Sequence, residues 1–311
     1  MKIINFYKVL ILLTACLTNV GFAQSGKVLI INSDSAVYRY EKIAIEFKKI
    51  IQQNGYQWTE FSLDRYPEAE VELKKRIQQE NPALIYCIGT KAYSLAHNAA
   101  PTKKLLFSAA INWQRLDIGQ GTYGVANELS SAQEISLLHY FFPTLKTIGL
   151  LYNDNFSHEY VETIKKDALA LGLNIINQPI NDPQEIGDAL NDLLPKIDMF
   201  WIISDPIVLN GKESVQKILQ AAQQQKKPVY AYSDVYIDQG AVLAISADIA
   251  TIGRQSANLA MAMDTNKIPS GTVQSPAGST ITLNKCALDS LQFKFNQDAL
   301  DSVNTIVGCD K

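Results

Sequence analysis

The chain has 311 residues, 47% hydrophobic and 19% charged, an ordinary globular composition with room for two domains, each with its own core. The net charge of −3 carries no basic surplus, so the whole-chain balance lacks the electrostatic footprint of a nucleic-acid binder.

The N-terminus reads as a targeting segment. Lys2 and Lys8 flank a short leading stretch, and residues 9–23, VLILLTACLTNVGFA, form an apolar run too short and wrongly flanked for a spanning helix. Gly21 and Ala23 supply small residues at the −3 and −1 positions of a cut before Gln24, giving a signal peptide over 1–23. The rival reading is a lipobox, Leu13-Thr14-Ala15-Cys16, with Cys16 lipidated. The run stays apolar beyond Cys16, where a lipoprotein tether is polar, so the plain cut is preferred. Both readings export the chain to the periplasm, and no second apolar stretch is long enough to cross a bilayer. Cys87, in ALIYCIG, reads as a buried thiol. Cys286 and Cys309 flank a C-terminal stretch, and export makes a disulfide between them permissible, while their spacing alone leaves the pairing open.

After the leader, KVLIINS (27–33) is a fully apolar strand. A helix follows over 38–54, with Tyr40, Ile43, Ala44, Phe47, Ile50 and Ile51 on one face and Asn54-Gly55 ending it. Strand QWTEFSL, a helix over 67–79, strand ALIYCIG, a helix from Lys91 and strand LLFSAAI come next. Repeated β-α units predict a parallel sheet with helices on both faces. Residues 112–126 interrupt the rhythm. Their Gly119-x-Gly121-x-x-Gly124 matches a dinucleotide fingerprint only nominally, because no helix opens on it, and it reads as a loop. The alternation restarts with a helix over 131–141, strand TIGLLYN, a helix over 157–171, strand LNIINQ, a helix over 183–194, strand MFWIIS, a helix over 212–225 and strand PVYAYS. Strand VLAIS then leads through a polar crossing at 246–253 into a helix opening at Gly253-Arg254. Two successive α/β units joined by several crossings predict a bilobal hinge protein.

Ligands of open α/β sheets collect at the carboxyl ends of the strands. The loops there carry Ser33, Asp34, Ser35, Gly89, Thr90, Asn112 and Trp113 in the first unit. In the second they carry Tyr152, Asn153, Asp154, Asn155, Ser204, Asp205, Tyr232, Ser233 and Asp234. Any one Ser, Thr, Asn or Asp before a helix is explained by capping, worth ~1 kcal/mol. The set is more telling, since both units present such loops to a shared cleft, with helix N-termini suited to an anion. Trp113, Tyr152 and Tyr232 would supply flat apolar walls.

Catalytic constellations are missing. His97, His139 and His158 read as surface or packing residues, and there is no G-x-S-x-G elbow, H-E-x-x-H, Walker loop or paired Cys/His metal spacing. Asp182 with Glu185 has helix-start spacing. No enzyme, cofactor or metal is expected.

Several stretches taken together resemble the ABC-transporter substrate-binding proteins of the tryptophan/tyrosine-type group, which have the type I periplasmic-binding-protein fold. They are ALIYCIGTKA (83–92), TYGVANELSSAQEISLL (122–138), FPTLKTIGLLYNDN (142–155), IISDPIVLN (202–210), KKPVYAYSDVYIDQGAVLAISADIATIGRQSANLA (226–260) and ITLNKCAL (281–288). Their order and spacing carry the resemblance, over about Lys27 to Leu291. It implies two doubly wound parallel-sheet lobes, a three-crossing hinge and a small organic ligand between the lobes. The N-terminal lobe would take 26–124 plus about 250–280, and the C-terminal lobe 125–249 plus about 281–291. Residues 292–311 would form an extension. Gly89-Thr90 matches the family's glycine–threonine loop, Tyr152-Asn153 its tyrosine–asparagine strand end, and Ser204-Asp205 its aspartate loop. Ser233 matches the loop after the next strand, and Asp248 an aspartate in the hinge. Two stretches depart from the pattern. Asn112-Trp113 stands where the family has a threonine–aspartate–proline turn, and SDSAVYRY follows the first strand in place of a histidine–proline-like segment. The family's aromatic preference is therefore not carried over.

The resulting expectation is an exported, monomeric solute-binding protein that captures an amino acid or a similar molecule and delivers it to an ABC permease. A periplasmic sensor subunit for a membrane receptor kinase would use the same fold. An exported enzyme is disfavoured by the missing constellations. A sugar-responsive repressor would need a DNA-binding domain where this chain carries its leader.

Overall fold

The computed structural model describes residues 26–263 and 268–308. The leader, with Cys16, and Cys309 lie outside the described residues. The first lobe begins β1 (Val28–Asn32), α1 (Tyr38–Gln53), β2 (Trp58–Ser62), α2 (Ala69–Glu80), β3 (Leu84–Ile88), α3 (Thr90–Ala99), β4 (Leu105–Ser108) and β5 (Thr122–Val125). The chain then crosses to the second lobe, with α4 (Ser131–Phe141), β6 (Thr147–Tyr152), α5 (Asp154–Ala170), β7 (Asn174–Pro179), α6 (Ile186–Leu193), β8 (Met199–Ile202), α7 (Lys212–Gln224), β9 (Val229–Ala231) and β10 (Leu243–Ala247). It returns through α8 (Ile249–Met263) and β11 (Val273–Gln274), then crosses again into β12 (Ser279–Asn284), α9 (Lys285–Ser290) and β13 (Thr305–Val307).

Among the described residues the strands form two sheets, ordered β11-β5-β4-β3-β1-β2 and β13-β12-β10-β9-β8-β6-β7. Pairing is parallel except between β10 and β12. The chain passes between the sheets three times, after β5, after β10 and after β11. Every residue of β1 and β3 is buried, as strands covered on both faces require. Helix α1 turns Ile43, Ala44, Phe47 and Ile51 onto the sheet. Helix α8 then packs across α1 so closely that a Cβ on Gly253 would stand 2.6 Å from the Ile43 carbonyl oxygen.

Two helices open earlier than sequence periodicity predicts, and side-chain caps explain both. The Asn153 Oδ1 accepts the Asn155 N–H at 3.1 Å and starts α5 at Asp154. The Asp248 Oδ1 accepts the Thr251 N–H at 2.6 Å and starts α8 at Ile249. Ser130 and Gln133 form a full capping box on α4. The glycine-rich stretch opens no helix, and Gly124 lies within β5 against the Phe107 ring. The tail beyond Leu291 joins the second sheet: β13 pairs with β12, and the Phe293 ring meets Phe142 at 5.4 Å between centroids. Cys286 is disulfide-bonded, and Cys87 is a free, buried thiol whose titration burial pushes up.

The crossings are tied to one another. Gln133 of the second lobe donates from Nε2 to the Pro276 carbonyl at 3.3 Å. Gln255 of α8 donates to the Ser275 carbonyl at 2.9 Å and accepts the Ala277 N–H at 2.9 Å. The third crossing is thus held from both lobes. Among the described residues no helix is long and apolar enough to cross a membrane.

Candidate functional site

A cavity of about 640 Å³ lies between the lobes, within the usual size range of small-molecule sites. The first lobe contributes Arg39 from the first turn of α1 and residues 112–115 from the loop after β4. The first crossing adds residues 126–130, and α4 adds Ser131 and Glu134. The second lobe supplies the start of α5, Trp201 and Ile203 at the end of β8, and Ser204, Tyr232 and Ser233 beyond β8 and β9.

The charged groups are arranged in depth. Arg39 is drawn down from its ordinary value by burial and held up by the nearby Glu128 carboxylate. Glu128 is pushed up by burial, against the Asn127 amide, the Arg39 charge and the Asn112 N–H. Glu134 is only 2% exposed. The Tyr160 hydroxyl donates to its Oε2 at 3.0 Å and the Tyr230 hydroxyl to its Oε1. Burial raises its pKa to about 8, which the two hydroxyls oppose and Glu128 reinforces. Three of the lining side chains carry buried polar atoms without a hydrogen-bond partner: Arg39 Nε, Asn127 Oδ1 and Trp201 Nε1. Trp113, Phe156, Tyr160, Trp201 and Tyr232 supply aromatic wall.

Of the residues expected from sequence, Asn112, Trp113, Asp154, Asn155, Ser204, Tyr232 and Ser233 come together around this cavity. The others lie off its wall, most of them with structural partners. The Ser33 Oγ accepts the Ala92 N–H at 3.0 Å, and Gly89 (φ +92°) has no room for a Cβ beside it. The Asp34 carboxylate accepts the Ala36 N–H, and Ser35 donates to Asp64 through both N–H and hydroxyl. The Thr90 Oγ1 accepts the Ile111 N–H at 3.2 Å. Tyr152 is buried in the core, and Asn153 spends both ends of its amide on the α5 start and the Ile180 carbonyl. Asp205, 1% exposed, accepts from the Asn153 N–H, the Ser157 hydroxyl and the Ile207 and Val208 N–H groups. Asp248 is spent on the start of α8.

Sequence reading did not single out Arg39, Asn127, Glu128, Glu134, Tyr160 or Trp201 as cavity residues. One signal was present. Glu134 falls on the buried stripe of α4, with Ser131, Ile135 and Leu138, where an unneutralised carboxyl is costly and calls for a reason. Of the histidines, His97 stacks on Tyr93 and His158 faces Asp154 at 3.0 Å. Among the described residues no group of three or more His, Cys, Asp or Glu is placed to hold a metal ion.

Two parallel-sheet lobes, three crossings and a cavity between the lobes define the class of hinged, two-lobe ligand binders. The match to the ABC transporter substrate binding protein family, over residues 43–306, shows that the chain belongs to that family. The type I periplasmic-binding-protein fold expected from the sequence is the one observed. A "Tyrosine-binding protein" of Clostridioides difficile (strain R20291) is 23% identical over 187 residues, covering 57% of this chain and 53% of the relative. The match thus spans about half of that relative's length. The solved structures agree in fold. A ligand-free, open substrate-binding protein with adhesive properties from Clostridium difficile has a TM-score of 0.72 at 19% identity, covering 91% of this chain and 99% of that one. A Streptococcus pneumonia domain in complex with L-Trp has a TM-score of 0.60 at 17% identity, covering 91% and 100%.

Proposed function

We propose that the chain is an exported solute-binding protein. It captures an aromatic amino acid or a close analogue between its lobes and presents it to an ABC permease. The observation that carries this reading is the content of the cavity. A guanidinium (Arg39) and carboxyls (Glu128, Glu134) face a shared space walled by aromatic rings. This is the complement of a zwitterion that bears a flat apolar group. The names of two similar proteins, one tyrosine-binding and one solved with L-Trp, point to the same class. No bond is broken in this work: the ligand stabilises the closed lobes by its differential contacts with them. The leader over 1–23, cut after Ala23, would deliver the chain to the periplasm. Mass spectrometry of the secreted chain separates that from lipidation at Cys16.

Calorimetric titration with L-tyrosine, L-tryptophan, L-phenylalanine, aliphatic amino acids and sugars tests the ligand class. Saturable binding confined to aromatic amino acids is expected, and a ligand at 100 times its Kd would add about 2.7 kcal/mol of stability. Binding of sugars only, or of no amino acid after unfolding and refolding to remove co-purified ligand, would overturn the reading.

A further inference from the structure

We propose that Glu134 is a specificity-determining residue that reads a cationic nitrogen on the ligand, so that the cavity admits amines and rejects the same ring scaffold carrying only a carboxylate. The inference deepens the aromatic-ligand reading above and rests on it.

The argument starts from the charges that line the cavity. Arg115, Asp154, His158 and Glu159 are exposed. The deeper groups are one guanidinium and two carboxyls, Arg39, Glu128 and Glu134. Arg39 is electrostatically coupled to Glu128. No cation is among the influences on Glu134, which are burial, two tyrosine hydroxyls and the unfavourable field of Glu128. A buried carboxyl with no counter-charge remains neutral or acquires one.

The clamp around Glu134 suits it to meet a cation. Tyr160 comes from α5 and Tyr230 from β9, and each hydroxyl donates to a different carboxylate oxygen. Both donors favour the ionised form, and each oxygen keeps an acceptor site, since a carboxylate offers about four. An ammonium placed there would take up that capacity and supply the missing charge. Tyr160, Trp201 and Tyr232 of the same lobe also line the cavity. Burial holds the Glu134 proton to about pH 8 in the free protein. Arrival of a cation at neutral pH should therefore ionise the group and release a proton to the buffer.

The test uses two series built on fixed rings: L-tyrosine, tyramine and 3-(4-hydroxyphenyl)propionic acid, and L-tryptophan, tryptamine and indole-3-propionic acid. Titrations at pH 7 in phosphate and in Tris give affinity and proton release together. The parent should bind the amino acid and the amine, and lose at least about 30-fold on the propionate. The heats of the two amine-bearing ligands should differ between buffers by the signature of proton release. Glu134→Gln should weaken the amine-bearing ligands at least about 10-fold, leave the propionate unchanged, and abolish the proton release. The buffer dependence is read on the parent itself, so the test survives a variant that folds poorly. Equal binding of amine and propionate by the parent, or unchanged amine affinity in a folded Glu134→Gln, would overturn the role of Glu134 while leaving the aromatic-ligand reading intact. If neither series binds the parent, that reading falls and this inference with it.

Discussion

Arg115, in the loop after β4 of the first lobe, lays its guanidinium 4.4 Å from the ring centroid of Phe156, at the start of α5 in the second lobe. It also donates from Nη2 to the Phe156 carbonyl at 3.1 Å. Both residues line the cavity and both are exposed, so the contact bridges the lobes at the cavity mouth. Between the two lobes there it comprises one cation–π pair and one hydrogen bond.

Arg115→Ala should leave folding stability within about 0.5 kcal/mol of the parent, as exposed pairs are weak. Its effect should fall on the open–closed balance. An exposed cation–π contact of about 0.5–1 kcal/mol predicts ligand binding weakened roughly two- to five-fold, mainly through faster release. Stopped-flow dissociation and small-angle scattering of the ligand-free protein read the two halves. An unchanged release rate and radius of gyration would mean that the contact does not hold the lobes.

Asp205 gathers hydrogen bonds from the loops after β6 and β8 beneath the second-lobe wall of the cavity. Replacing it with alanine strands the Asn153, Ile207 and Val208 N–H groups and the Ser157 hydroxyl in a buried position, a loss on the order of 3–5 kcal/mol. Urea unfolding should show the midpoint falling at unchanged slope. A loss under about 1 kcal/mol would mean that water takes over these bonds at little cost.

The pH profile of stability follows from Glu134. Its folded pKa of about 8 lies above the ordinary carboxylate range. The folded state therefore holds a proton that the unfolded state has already released. The stabilisation is complete below the unfolded pKa and is lost as pH rises through the folded one. Its slope approaches 1.4 kcal/mol per pH unit, an upper bound of about that size. Glu128, also raised by burial, acts in the same direction. Glu46 and Glu80 are lowered and act only at acid pH. Ligand-free protein should thus lose stability between about pH 5 and 8, and Glu134→Gln should flatten most of that slope. A profile for Glu134→Gln parallel to that of the parent would contradict the assignment.

Gly253 sets the distance between α8 and α1. A Cβ there would meet the Ile43 carbonyl oxygen at 2.6 Å and the Glu46 Cβ at 2.8 Å. Backbone on one side leaves little freedom to yield, so Gly253→Ala should cost about 1–3 kcal/mol despite the higher helix propensity of alanine. Gly187, in α6, has nothing within 4 Å of the same position, and Gly187→Ala should be neutral or stabilising. Thermal unfolding of the pair checks the contrast, and similar melting temperatures would mean that the α1–α8 contact relaxes freely.

Much of the architecture is written locally in this sequence. Apolar runs such as VLIIN and LIYCI, bounded by polar and turn residues, fit strands of a covered parallel sheet, as they prove to be. The stripe of Ile43, Ala44, Phe47 and Ile51 fits the buried face of a helix, as observed. Those local rules also place Asn112, Trp113, Ser204, Tyr232 and Ser233 at strand ends, where the cavity lies. Local rules do not separate a loop residue that faces the cleft from one that caps a helix. Asn153 and Asp205 have the same residue types and positions as true lining residues, and geometry alone turns them inward to hold backbone. Nor do they bring Arg39 to Glu128, or Tyr160 and Tyr230 to Glu134, because these partners sit on different elements far apart in the chain. The sequence by itself determined the elements and their grouping into two successive α/β units, because hydrophobic periodicity acts within a few residues. The charges and hydroxyls that meet in the cavity were decided only by tertiary structure, since the balance of burial against pairing exists only once distant segments share one low-dielectric space.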